Sequence, residues 1–191
     1  KVSVVNSVME SNSVSKSWSE NSLIRSVAKH GAGRKALAWL GPRYFETVVN
    51  GFKLVLDLQD RWGVSKYILR HGDYDREICE IVRSHLKENS VALDIGANIG
   101  FWSCFLSSTG KVRKIYSIEP EPHNSSLFKN NIAINGYQDR VEFFHSAVGK
   151  EKGALDLFIS ADNAGDHQLY DGGSGRSKVR VPVHRVDDLV S

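Results

Sequence analysis

The sequence predicts an α/β fold, a doubly wound and mainly parallel sheet with helices on both faces. Three observations predict it. The first is a short apolar run over residues 91–95 that carries an acid, Asp94, near its end, the pattern of a buried parallel strand. The second is the turn that follows, punctuated by Gly96 and Gly100, after which Phe101, Cys104 and Phe105 resume at helical spacing. The third is repetition: a strand over 114–118 ending at Glu119, a helix over about 125–135, and a strand over 141–144. Strand, turn and helix alternating in this way build βαβ units, and hence a Rossmann-like sheet.

The turn has a chemical consequence. Without a Cβ, Gly96 and Gly100 let the backbone reverse sharply and a ligand come close. A helix starting near Gly100 turns free N–H groups and a partial positive charge toward that ligand. Asp94 lies at the carboxyl end of its strand, where open α/β sheets bind ligands. The spacing is G-x-x-x-G, neither the G-x-G-x-x-G of NAD and FAD folds nor a Walker loop. Glu119, 19 residues past Gly100 and one strand over, can accept hydrogen bonds from both hydroxyls of a ribose. The bland alternative is a solvated acid at a strand end.

The remaining elements follow in order. Residues 1–21 are rich in Ser and Asn, with room for a short strand at Val2, Val4 and Val5 before Ser7 to Ser22 reads as linker, and Leu23 to Leu40 carries a helical pattern broken at Gly31 and Gly33. Residues 1–45 are therefore expected to be an appendage to a main domain over 46–191. Strands over 45–49 and 52–58 flank Asn50-Gly51, a strong hairpin signal. A short helix falls within 61–70. An amphipathic helix follows Asp73-Tyr74-Asp75, with Ile78, Ile81, Val82 and Leu86 expected on its buried face. Near the end, strands over 155–160 and 178–184 enclose a loop marked by Gly165 and the glycines of 172–175.

Composition narrows the function classes. The net charge of +3 is small and mixed along the chain, which argues for no nucleic-acid partner and no anionic membrane surface. No apolar run approaches the roughly 20 residues needed to span a bilayer. Cys79 and Cys104 each fall on an apolar helix face and read as buried thiols, in keeping with a reducing, cytoplasmic location. No histidine stands at metal-ligand spacing from Cys or a carboxylate, so no metal is expected.

Several ordered motifs carry a resemblance: Leu93-Asp-Ile-Gly-Ala-Asn-Ile-Gly100, Glu119-Pro-Glu-Pro-His-Asn124, Asn131-Ile-Ala-Ile-Asn-Gly136, Ser146-Ala-Val-Gly149, Asp162-Asn-Ala-Gly-Asp-His167 and Val186-Asp-Asp-Leu189. From about Phe52 onward the chain resembles the FkbM-type family of S-adenosylmethionine-dependent class I methyltransferases. The resemblance implies S-adenosyl-L-methionine as cofactor and methylation of a hydroxyl on a sugar or other small molecule. It implies that Asp94, Gly96, Asn98 and Gly100 surround the methionine part and that Glu119 holds the ribose. Pro120 would lie beside the adenine, with Ser146 and Ala147 along its edge. Tyr74 matches an aromatic position in the family's G-x-Y-E segment, where this chain has Asp75 in place of the acid.

His167 is the candidate base for the acceptor hydroxyl; the alternative is a loop histidine that holds its own backbone. The resemblance also implies a further central strand beyond Leu189. Without it residues 91–95 become an edge strand open to self-association or to a partner chain. That and the start at Lys1 predict a piece of a longer enzyme whose C-terminal strands are missing. Two other classes compete: a non-catalytic docking module that kept the fold, and an NAD-type oxidoreductase, disfavoured by the absent G-x-G-x-x-G. A nucleic-acid methyltransferase is disfavoured by the lack of a basic stripe and of a [DN]-P-P-[YF] segment to hold a flipped base.

Overall fold

A computed structural model describes residues 43–160, 163–170 and 175–190. The segment with Val2, Val4 and Val5, the expected linker, the helical pattern over 23–40, Asp162 and the glycines at 172 and 173 lie outside these residues. Strands β1 (Tyr44–Val49) and β2 (Phe52–Asp57) form an antiparallel hairpin, so the strand begins two residues before the expected domain start at 46. Asn50 and Gly51 both take positive φ, 48° and 94°, which is what a two-residue turn matched to the strand twist requires. Helix α1 (Val64–His71) follows, its first turn capped by Asp60, whose Oδ1 and Oδ2 accept from the N–H groups of Gly63 and Ser65.

Helix α2 (Arg76–His85) departs from expectation in its rotation. Ile78 and Ile81 are 50% and 60% exposed, and Cys79 is buried with Val82 and Leu86 packed behind it. The helix carries two apolar stripes. Contacts at its start select between them: the Asn50 side-chain amide donates to the Tyr74 carbonyl at 3.1 Å and approaches Cys79 Sγ at 3.5 Å.

Strands β3 (Ser90–Ile95), β4 (Val112–Ile118) and β5 (Val141–Phe144) form a parallel sheet in that order. Helix α3 (Phe101–Ser108) connects β3 to β4, and α4 (Pro122–Ile134) connects β4 to β5. This is one wound half of a Rossmann-like α/β sheet. Helix α4 starts with Pro122 at its first position and Glu121 as cap, the Glu121 carboxylate accepting from Asn124 N–H.

Two asparagines one turn apart, Asn131 on α4 and Asn135 just after it, explain how the hairpin docks. Asn131 Oδ1 accepts from Val55 N–H at 2.7 Å, and its Nδ2 donates to the carbonyls of Val55 and Ile99. Asn135 does the same for Lys53, accepting at 2.9 Å and donating at 2.8 Å. The two amides stand in for a neighbouring strand along the open edge of β2, so the backbone of Lys53 and of buried Val55 keeps its partners.

The core fills the space between the hairpin, α3 and α4, with Phe105, Phe128, Leu54, Leu56, Ile99 and Ile115 fully buried. Cys79 and Cys104 are both free and buried. Asp94 points to the helix face of β3, where Ser103 Oγ of α3 donates to it at 2.5 Å and contacts Ser117 Oγ of β4 at 2.7 Å. On the other face Val91, Leu93 and Ile95 are exposed, and β3 has no neighbour beyond β4 among the described residues.

The last part of the chain forms a second sheet in the order β6 (Ala147–Val148), β8 (Ser177–His184), β7 (Gly153–Ile159). Strands β7 and β8 are antiparallel, and a single 3₁₀ turn, Val186–Asp188, follows β8. Among the described residues no helix is long and apolar enough to cross a membrane, and no group of three His, Cys, Asp or Glu side chains is placed to hold a metal ion.

Candidate active site

A cavity of about 560 Å³ opens at the carboxyl ends of β3, β4 and β5. Its floor is the turn after β3. Gly96 (φ 75°), Asn98 (φ 51°) and Gly100 (φ 90°) all lie in the left-handed region, which makes this turn tight enough to start α3 at once. The N–H groups of Gly96 and Ala97 donate to Ile118 O, that of Asn98 to Glu119 Oε2, that of Ile99 to Asn98 Oδ1 and that of Gly100 to Ala97 O. The turn's own amides are therefore consumed in holding it. The donors left for a ligand are those of the first turn of α3.

Eight of the nine expected cofactor residues line this cavity: Tyr74, Asp94, Gly96, Asn98, Glu119, Pro120, Ser146 and Ala147. Gly100 does not. A Cβ on Gly100 would stand 2.9 Å from the Phe128 ring, so this glycine is needed for packing of the turn against α4 and not for approach of a ligand. A Cβ on Gly96 would meet nothing within 4 Å. Tyr74 packs edge-on against Phe101 at 4.8 Å, and Phe101 against Trp102 at 5.5 Å, giving the cavity an aromatic wall.

Glu119 is 4% exposed, and each of its oxygens already holds one amide: Oε2 that of Asn98 at 2.8 Å, Oε1 that of Glu121 at 2.9 Å. Burial pushes its carboxyl above the ordinary value, against the two N–H donors that favour the anion. A carboxylate has about four lone-pair positions, so a diol can still be accepted. Burial also raises Asp94, opposed by the hydroxyl of Ser103. Asp75 takes φ 46° before α2 without capping it through its side chain.

A loop closes over the turn from the second sheet. The carbonyl of Ala164 accepts from Asn98 Nδ2 at 2.8 Å and from Asn124 Nδ2 at 2.9 Å, and the Ala164 N–H donates to Asp60 Oδ1 at 3.3 Å. This strap places His167 in the cavity wall. His167 Nδ1 accepts from Ser160 N–H at 3.1 Å, so the one hydrogen of the neutral ring sits on Nε2. Burial holds the imidazole below its usual pKa. The expected base thus holds its own backbone through one nitrogen and is a donor at the other.

Among the described residues, three buried polar atoms in the cavity walls find no partner: Ser146 Oγ, Asn124 Oδ1 and His167 Nε2. Asn124, which sequence reasoning did not assign to the site, is held there by the capping of α4. His145 Nε2 donates to the Pro120 carbonyl at 3.0 Å and fixes that loop. His123 Nε2 lies 2.7 Å from Asp57 Oδ2.

The profile of the methyltransferase FkbM domain matches residues 94–191. The chain belongs to the FkbM methyltransferase family. The cofactor of this FkbM family is S-adenosylmethionine. The cavity fits that group on its own terms, with a ribose-reading carboxylate, an aromatic wall and unpaired buried polar atoms.

Among curated proteins, this FkbM chain is 39% identical over 57 residues to the O-methyltransferase imqG of Aspergillus flavus, a match covering 30% of this chain and 23% of that protein. The chain thus spans about a quarter of the length of the relative it matches. Among solved structures, P. horikoshii TYW2 in complex with MeSAdo superposes with a TM-score of 0.45 and 23% identity over 55% of this chain and 36% of that one. The FkbM methyltransferase of Methylobacillus flagellatus KT superposes with a TM-score of 0.37 and 17% identity over 55% of this chain and 23% of that one.

Proposed function

We propose that the chain carries the cofactor-binding part of an O-methyltransferase acting on a hydroxyl of a small molecule or sugar. The observation that carries this reading is the cavity at the strand ends, which Glu119, Ser146, Asn124 and His167 line together with an aromatic wall. The local identity to a protein named an O-methyltransferase supports oxygen as the acceptor atom. The small, mixed net charge of +3 supports an acceptor other than nucleic acid.

When bound, S-adenosylmethionine supplies an electrophilic methyl carbon, which an acceptor oxygen takes by in-line displacement while the sulfur leaves with the bonding pair and the hydroxyl proton passes to solvent or a base. The chain's own residues do the positioning. Glu119 would hold the ribose, Pro120, Ser146 and Ala147 would border the adenine, and the Tyr74–Phe101–Trp102 wall would help to keep water out of the cavity. Alignment of this kind supplies much of the rate in a displacement with little covalent chemistry for the protein to perform.

Calorimetric titration of S-adenosylmethionine and S-adenosylhomocysteine into the chain tests the reading. Binding that Glu119→Ala weakens by roughly 1.5–3 kcal/mol, the loss of hydrogen bonds to a charged group, supports it. Binding indifferent to Glu119→Ala, or none, refutes it.

A further inference from the structure

A second cavity, of about 250 Å³, lies behind the Ala164 strap. Asn124, Ala164 and His167 line both it and the cofactor cavity, so these three residues form a common wall. Two of the unpaired buried atoms belong to this wall: Asn124 Oδ1, an acceptor on a residue 1% exposed, and His167 Nε2, a donor by the tautomer that Ser160 imposes. One missing donor and one missing acceptor in a shared wall are the complement of a hydroxyl, which can donate to one and accept from the other.

The rest of the second cavity says what that hydroxyl belongs to. Asp57, Asp60 and Glu121 set three carboxylates against one guanidinium, that of Arg43. Arg43 is committed to Asp57 through Nε and through an Nη at 2.8 Å. His123 Nε2 is committed to the same carboxylate. Among the described residues no cation without a carboxylate partner faces the space, so a phosphate or carboxylate entering it would meet like charge and an unfavourable field. Carboxylates and a backbone-held imidazole suit an uncharged ligand rich in hydroxyls.

We infer that the second cavity is the acceptor's binding site, that it takes an uncharged polyhydroxylated ligand and rejects phosphorylated ones, and that His167 Nε2–H and Asn124 Oδ1 hold one ligand hydroxyl at the wall shared with the cofactor cavity. The inference rests on the methyltransferase reading. It assigns His167 the work of a hydrogen-bond donor in place of a base, and it brings Asn124 into the site.

The test is saturation-transfer NMR on the chain loaded with S-adenosylhomocysteine. The probes are methyl α-D-glucopyranoside and methyl α-L-rhamnopyranoside, with D-glucose 6-phosphate as the charged comparison. Ile159→Trp fills the second cavity from a residue that does not line the first, and its retained affinity for S-adenosylhomocysteine shows that it folds. The expected result is a glycoside signal that Ile159→Trp abolishes, that His167→Ala weakens at least tenfold, and that His167→Gln, which keeps a donor near the Nε2 position, restores to within threefold. Glucose 6-phosphate should bind at least tenfold more weakly.

Four results overturn the inference: no glycoside signal, a signal that survives Ile159→Trp, sugar phosphate binding as tightly as glycoside, or a tenfold loss of S-adenosylhomocysteine affinity in His167→Ala. The last would assign the imidazole to the cofactor. Failure of S-adenosylhomocysteine to bind, or its indifference to Glu119→Ala, would instead remove the methyltransferase reading and this inference with it.

Discussion

Asn98 donates its side-chain amide to the carbonyl of Ala164 at 2.8 Å, joining the turn after β3 to the strap that comes from the second sheet. The same side chain accepts from Ile99 N–H, and its backbone sits at φ 51°. Asn98→Gly keeps the backbone conformation and loses both side-chain bonds, whereas Asn98→Ala loses them and adds left-handed strain of about 1 kcal/mol. Both variants should bind S-adenosylhomocysteine roughly fivefold more weakly, the equivalent of one hydrogen bond's net worth. The alanine variant should also melt below the glycine variant. Calorimetry and thermal denaturation on the pair check this.

The two glycines of the turn should respond differently to a methyl group. Gly100→Ala meets the Phe128 ring at 2.9 Å at a positive φ of 90°, combining strain with overpacking. A loss of about 2–4 kcal/mol is expected. Gly96→Ala has open space around the added carbon and carries only the backbone term, about 1–2 kcal/mol. Urea denaturation midpoints measure both.

Acid should loosen the hairpin through Asp57. Burial pushes this carboxyl up, but hydrogen bonds from His123 and Arg43 outweigh it and hold the group at about 2. A carboxyl depressed in the folded state stabilises fully above its unfolded pKa, and that contribution fades as pH falls from about 4 toward 2. About 2 kcal/mol should be lost across that window. Asp57→Asn should remove this part of the pH dependence, read as denaturation midpoints from pH 6 to pH 2.

The thiols should be inert. Burial pushes Cys104 up to about 12, and it raises Cys79 as well. A disulfide reagent at pH 8 should leave both unmodified in the folded chain and titrate both in denaturant. Fast reaction of Cys79 under native conditions would show that α2 opens locally.

The parts of the fold that the sequence makes legible are those set by local chemistry. Asn50-Gly51 dictates its turn, and the apolar run before Gly96 dictates a strand followed at once by a helix. Periodicity was less informative about rotation. The stripe of Ile78 and Ile81 and the stripe of Cys79, Val82 and Leu86 are both apolar, and a contact from Asn50, 29 residues before Cys79, decides which is buried.

The candidate site divides the same way. Residue type and position point to Glu119 and Gly96, and the family resemblance points to Tyr74. The work of Gly100 depends on the ring of Phe128 from the next helix, and the tautomer of His167 depends on a backbone amide seven residues away. Neither leaves a mark in a spacing pattern. The consumption of the turn's amides by Ile118 and Glu119 is equally invisible before the strands are paired.

The strap has a consequence beyond the cavity it closes. It is bridged to β7 by reciprocal bonds between Phe158 and Gln168, and the Ala164 peptide binds it to Asn98, Asn124 and Asp60. A ligand that steadies Asn98 and Asn124 therefore lowers the free energy of keeping the β7–β8 hairpin docked. The amides of β8, none of which lines either cavity, should exchange with deuterium more slowly when the cofactor cavity is filled. Ligand occupancy and the local unfolding of the second sheet are then two readings of one equilibrium.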